Sequence, residues 1–343
     1  MVLISITTNF LYLLLQFTPQ NNKISVIQLS VDKAKEKTKT QFLYSKVINE
    51  GKKNKAKILK MCKRERYFLP FLVALVLFFL SFCVNGMHFV LVHGGLHGAW
   101  CWYKVANKLK SEGHNVTTLD MAACGVNPKQ RQEVHSVSEY NEPLMTFMAS
   151  LPPEEKVILV GHSLGGLSAS IAMENYPEKI SVAVFITATV VSQNLTYPAF
   201  LQERRRRLIS LNLDEFFILD GVNKAPILSS LGVELLASRF YQLTSNEDLT
   251  LAFCLVRPLP PITSDVKLLM KQTAVTKYKN GRVSKVFIIS EKDNLHTEDF
   301  QRWVIESTGP YAEVKVIKDS DHMVMFSKPK KLSFELLKIA YKY

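Results

Sequence analysis

The stretch "KVILVGHSLGGLSASIAM" (Lys156–Met173) passes from an apolar run through a glycine-flanked serine into small and apolar residues. Within it Gly161-His162-Ser163-Leu164-Gly165 fits G-x-S-x-G, and the fit is in context: a buried strand before it and a helix after it. The spacing has a geometric reason. A serine on a sharp strand-to-helix turn is held in a strained backbone conformation, and small residues two before and two after it prevent clashes. The turn presents the hydroxyl at a helix N-terminus, where the dipole favours developing negative charge. Ser163 is therefore the candidate nucleophile. A glycine-rich turn without chemistry would need neither a matching histidine nor a matching oxyanion loop elsewhere in the chain.

Outward from this stretch, residues after Met87 alternate short apolar runs with longer amphipathic ones, as in a mainly parallel sheet covered by helices on both faces. Strands are expected at 88–94, 115–121, 156–161, 181–188, 285–290 and 313–318, as continuous apolar runs that suit strands buried on both faces. Helices are expected near 100–112, 137–150, 164–175, 298–307 and 329–342. Between about 190 and 278 the rhythm breaks. Segments such as "PAFLQERRRRLISL", "GVELLASRFYQL" and "NEDLTLAFCLV" read as helices with no strand between them, a helical cap inserted into an α/β core. The run Arg204 to Arg207 reads as a solvated helix face, with steering of acidic substrates as the alternative.

A serine is a weak nucleophile until a histidine takes its proton, and the histidine needs an acid to hold its tautomer. In this architecture the chain order is serine, acid, histidine. Of the eight histidines, His322 in "KDSDHMVMF" alone follows the last strand. His88 opens a strand, His114 and His135 lie in polar connections, and His296 precedes the final helix-strand unit. For the acid, the loop after "KVFIIS" offers Asp293, with Glu291 next and Glu298 further on. Asp321 neighbours His322 and is expected to point away from it. The oxyanion needs two backbone N–H donors. Leu164 follows the nucleophile, and "VHGGLHGAW" supplies an early loop in which Gly94 and Gly95 allow close approach; Gly95 is the preferred donor.

The formal charge is +13, but 14 Lys/Arg against 4 Asp/Glu fall in residues 1–66 and 29 against 26 in the rest. The basic character belongs to the N-terminal extension. Basic residues interleaved with aromatics, which a nucleic-acid surface requires, are not visible, so no nucleic-acid partner is expected. Residues 67–84, "YFLPFLVALVLFFLSFCV", carry no charge and follow Lys60, Lys63, Arg64 and Arg66, the layout of a signal peptide; a membrane anchor is the rival reading. The expected organisation is a basic, disordered leader over 1–60, a signal-like or anchor segment over 61–86 and a folded domain over 87–343. Translation from Met61 would give a secretory precursor, and from Met87 a cytosolic protein. Membrane contact is expected only if residues 67–84 are retained. The sequons at Asn115 and Asn194 matter only in a secreted chain. Cys62, Cys83, Cys101, Cys124 and Cys254 are widely spaced and suggest neither a disulfide framework nor a zinc site.

Taken together, "HFVLVHGGLHGAWCWYKV", "LDMAACGVNP", "EKVILVGHSLGGLS", "YPEKISVAVF", "DFQRW" and "DHMVMFSKP" resemble the plant methyl esterase and hydroxynitrile lyase family of α/β-hydrolases, over essentially all of residues 88–343. The resemblance implies hydrolysis of a small-molecule substrate, a methyl ester of salicylate, jasmonate, indole acetate or an alkaloid acid, with no metal or organic cofactor; a homodimer is left open. Carried over by position, the triad falls on Ser163, Asp293 and His322 and the oxyanion donors on Gly95 and Leu164. Cyanohydrin-cleaving members of the family have threonine where Gly94 stands and lysine where Met323 stands, so the chain sides with the esterases. A non-catalytic ligand-binding protein on the same scaffold is the third possibility. Cys124 replaces the serine of "AASG", and "SEKDNLH" departs from the family's acid loop.

Overall fold

The computed structural model describes residues 45–46, 48–53, 86–207, 215–218, 227–260 and 265–343. The signal-like segment 67–84 and most of the expected leader lie outside the described residues; in the leader, 45–46 and 48–53 are helical and exposed.

From residue 86 onward, six strands form one parallel sheet: β1 (His88–Val92), β2 (Asn115–Leu119), β3 (Val157–His162), β4 (Ile180–Ile186), β7 (Lys285–Ser290) and β8 (Glu313–Ile317). Their order is β2-β1-β3-β4-β7-β8. Each expected strand is present; the ends shift by a few residues. The apolar runs separate into two cores because side chains alternate across a sheet. Val90, Val92, Val157 and Leu159 enter one core, and Phe89, Leu91, Ile158 and Val160 enter the other. Helices α2 (Val137–Ser150), α3 (Gly165–Asn175) and α7 (Glu298–Thr308) cover the first face through Tyr140, Leu144, Leu167, Phe300 and Val304. Helices α1 (Tyr103–Ser111) and α8 (Pro329–Ala340) cover the second through Val105, Leu109, Leu332 and Leu336.

Register then lines up the strand ends. Val92 pairs with Gly161, His162 with Ile186, Ile186 with Ile288, and Ser290 with Ile317. The loops after β1, β3, β4, β7 and β8 therefore open at one edge, where ligands bind in open parallel sheets.

The cap region contains α4 (Tyr197–Arg207), a short helical stretch over Val233–Phe240, α5 (Asn246–Leu255) and α6 (Val266–Gln272). It is not purely helical as expected. Strands β5 (Glu215–Ile218) and β6 (Ile227–Leu231) pair antiparallel, Glu215 with Leu231 and Ile218 with Ile227. The runs "EFFI" and "ILSSL" are short and rich in aromatic and branched apolar residues, a composition that suits strands. Arg257 binds the cap to the core. Its amide donates to Leu96 O at 2.9 Å, and its Nη1 donates to the carbonyls of Gly125 and Asn127, each at 3.0 Å.

Candidate active site

Ser163 sits between β3 and α3 with φ of +50°, a left-handed conformation uncommon for a residue with a side chain. The turn is pinned on both sides: the Ser163 amide donates to Ile186 O at 3.2 Å, and its carbonyl accepts from Gly166 N at 3.0 Å and Thr189 N at 2.9 Å. The flanking glycines are steric requirements. A Cβ on Gly161 would lie 2.6 Å from Gly165 O, and one on Gly165 would lie 2.5 Å from Val92 O.

His322 Nε2 lies 3.1 Å from Ser163 Oγ, and its Nδ1 lies 2.7 Å from Asp293 Oδ2. All three residues are buried. Because a carboxylate only accepts, Nδ1 carries the proton and Nε2 is left as acceptor for the serine hydroxyl. Asp293 is held further by the amides of Leu295 and His296, at 2.7 and 2.8 Å on Oδ1, and by the Thr187 hydroxyl on Oδ2. Burial above all pushes the His322 pKa down to about 3, with Arg204 acting in the same direction. Burial also pushes the Asp293 carboxyl up to about 6, against the His296 and Thr187 contacts and the two amides. At neutral pH the ring is thus an uncharged base beside an ionised carboxylate.

The structure brings together Ser163, Asp293 and His322 and leaves the other acids aside. Glu291 accepts from Asp319 N at 3.0 Å, Glu298 pairs with Arg302, and Asp321 turns to Leu243 N and Thr244 Oγ1, at 2.9 and 2.8 Å. The N–H groups of Gly95 and Leu164, the expected oxyanion donors, have no acceptor among the described residues. The Gly95 amide is aimed by a neighbour. His93 Nδ1 donates to Gly94 O at 2.7 Å while its Nε2 accepts from Met121 N at 3.1 Å, and Gly94 O and Gly95 N–H are opposite ends of one peptide plane. His97 fixes the next plane, its Nδ1 donating to Gly95 O at 2.8 Å and its Nε2 accepting from the Tyr241 hydroxyl at 2.6 Å. A Cβ on Gly94 would lie 2.9 Å from Ser163 Cβ.

Several residues of this site were not singled out from the sequence. Thr187, with φ of +39°, has only its place after β4 as a signal. His162 occupies a variable position of the G-x-S-x-G motif, yet its Nε2 donates to His322 O at 2.8 Å. His296 packs its ring edge-on 5.2 Å from that of His322, and the Phe240 ring lies edge-on to it at 5.0 Å. Ligand-type atoms of Asp293, His296 and His322 lie within 4.8 Å of one another. Arg204 Nε already donates to His296 Nε2 at 3.3 Å, so this cluster has a cation against it and is a poor place for a metal ion.

Residues 89–333 match the profile described as "Alpha/beta hydrolase family". The chain belongs to the α/β hydrolase family. Among its relatives, Methyl jasmonate esterase 1 of Vitis vinifera is 50% identical over 257 residues, which are 75% of this chain and 97% of that protein. Polyneuridine aldehyde esterase of Rauvolfia serpentina is 44% identical over 256 residues, 74% of this chain and 95% of that one. Among solved structures, tomato Methylketone Synthase I complexed with 2-tridecanone superposes with a TM-score of 0.70 at 42% identity, covering 75% of this chain and 99% of the other. Within the α/β hydrolase family, the chain is thus similar to plant esterases across nearly their whole length.

Proposed function

We propose that this protein is a carboxylic ester hydrolase that cleaves small methyl esters through an acyl-enzyme on Ser163. The observation that carries the reading is the unbroken chain Asp293–His322–Ser163 beside two amides that have no acceptor among the described residues. Ser163 Oγ attacks the ester carbonyl as His322 Nε2 takes its proton, and Asp293 stabilises the imidazolium. Gly95 and Leu164 donate to the oxygen that becomes negative. His322 then gives its proton to the ester oxygen as the C–O bond breaks, so that methanol leaves, and water, activated by the same nitrogen, releases the acid.

The names of the relatives support a methyl ester of a plant hormone or alkaloid acid as the substrate class. The hydroxynitrile lyase alternative is disfavoured sterically and chemically. A threonine at position 94 would press on Ser163, and the buried Met323 offers no charge for a departing cyanide. Residues 87–343 are the catalytic unit in this reading, and residues 61–86 are proposed as a signal-like or anchor segment; mass spectrometry of the mature N-terminus distinguishes removal from retention.

The test is turnover of methyl jasmonate, methyl salicylate, methyl indole acetate and an alkaloid methyl ester by the full chain and by Ser163→Ala. Hydrolysis of at least one ester, lost in Ser163→Ala, is the expected result. No turnover of any ester, or turnover unchanged in the variant, refutes the mechanism; cyanide release from mandelonitrile would revive the lyase.

A further inference from the structure

Arg204 is one of four consecutive arginines on α4, and it differs from the rest. Arg206 and Arg207 both bind Glu203 on their own helix, at 2.6 Å, Arg207 also reaches Asp299, and Arg205 is exposed. Arg204 is half-buried and turns to the active site, where its Nε donates to His296 Nε2 at 3.3 Å. That bond fixes the His296 tautomer, since the other ring nitrogen, Nδ1, donates to Thr187 O at 3.1 Å. Through His296 the cap helix thus touches each part of the acid-base pair. The His296 amide binds Asp293, its ring packs edge-on against His322 at 83°, and its Nδ1 holds the residue whose hydroxyl binds Asp293.

Among the described residues, few groups that carry or take charge face His322. Asp293 and Ser163 bind its two nitrogens, and the rings of His162 and His296 pack against it at 4.9 and 5.2 Å. His97 lies near enough for its own protonation to feel His322, while Asp321, the preceding residue, is turned toward Leu243 and Thr244. Burial lowers the proton affinity of His322 most, and among the described residues Arg204 is the cation that acts in the same direction. His162, His97 and His296 are all buried rings held neutral. Burial thus dominates the proton affinity of His322; among the described residues, Asp293 is the acid bound to it and Arg204, from the cap, is a cation acting on it.

We propose that Arg204, held by His296, is a positioning residue that keeps the Asp293–His322 dyad unprotonated in mildly acidic solution and couples that property to the seating of α4. The inference rests on the esterase reading. A dyad this close takes its first proton as a unit, so the guanidinium acts on the acid limb of the pH–rate profile whichever atom is protonated.

The experiment uses the full chain and its Arg204→Gln and Arg204→Lys variants from about pH 4 to 9. It follows kcat/KM for a p-nitrophenyl ester and the rate at which a fluorophosphonate modifies Ser163. Glutamine keeps a hydrogen-bond donor without the charge; lysine keeps the charge. Arg204→Gln is expected to move the acid limb of both rates up by about one pH unit, and Arg204→Lys to keep it within about 0.3 unit of wild type. Arg204→Met takes the place of Arg204→Gln if circular dichroism finds the latter unfolded. An unmoved limb in the uncharged variant, or a lysine limb displaced as far as the uncharged one, overturns the proposal. Absence of wild-type reaction with the fluorophosphonate at every pH sinks the esterase reading itself, whereas reaction with an unmoved limb overturns only the role of Arg204.

Discussion

Adjacent glycines in the loop after β1 should differ sharply in their tolerance of a single methyl group. A Cβ at position 94 would lie 2.9 Å from Ser163 Cβ and 3.0 Å from His162 Nδ1. Non-bonded carbons are at their optimum at about 3.5–4.0 Å, so something must move by about half an ångström or more. Ser163 resists, being held by Ile186, Gly166 and Thr189. The loop resists too, since His93 and His97 bind the carbonyls of Gly94 and Gly95. Overpacking of this kind costs about 1–3 kcal/mol of stability. The larger effect falls on the rate, because a shift there changes the distance between Ser163 Oγ and the Gly95 N–H. Gly94→Ala is expected to lower kcat/KM about 10- to 100-fold. At position 95 the same methyl would sit 3.5 Å from Leu164 Cδ2 and Leu259 Cδ1, an ordinary contact. Gly95→Ala should keep kcat/KM within about threefold of wild type. Ester kinetics and thermal melts of the two variants make the comparison. Wild-type kcat/KM in Gly94→Ala, or an equal loss in Gly95→Ala, would refute the steric reasoning.

Thr187→Val removes a hydroxyl donor from a buried carboxylate and is expected to lower kcat about 10- to 100-fold and raise the acid limb, while Thr187→Ser restores both; equal loss in the two variants would assign Thr187 to packing alone. Stability should fall in acid. Burial holds His97 and His296 to about 3 in the folded chain, against an ordinary histidine value of 6.5. The unfolded chain therefore binds protons that the folded chain refuses, and stability is lost as pH drops below 6.5. The loss is about 2 kcal/mol per histidine by pH 5, read as a fall in melting temperature between about pH 7.5 and 5; a flat melting temperature would contradict the burial of these rings. Asp293 opposes the trend, since its carboxyl takes a proton near 6 when folded and near 3.8 when unfolded.

What could be read in the sequence was what repeats locally. The β strands are legible because burial on both faces turns Val157–Val160 or Val286–Ile289 into uninterrupted apolar runs. Ser163 is legible because its strained turn demands glycine at fixed distances on either side. Asp293 and His322 follow from chain order, because the strands that precede them end at one edge of the sheet. The paired strands of the cap, "EFFI" and "ILSSL", are short and lie between segments of helical periodicity, so the local pattern reads as helix throughout.

Contacts between distant segments leave no such trace. Arg204 and His296 are 92 positions apart, and no period or spacing joins them; only the fold of the cap brings a guanidinium to the acid loop. His93 and His97 stand inside the motif "VHGGLHGAW", whose glycines signal close approach and say nothing of the rings beside them. In the structure those glycines make room, and the two histidines decide which way the room faces, by holding the carbonyls at 94 and 95. The same division holds at Ser163, where glycines permit the turn and Ile186 and Thr189 fix it. Motif residues in this chain therefore specify where the backbone is allowed to go. The groups that hold it there come from neighbouring strands, buried rings and the cap, and substitutions at those positions are where activity should change while the motif stays intact.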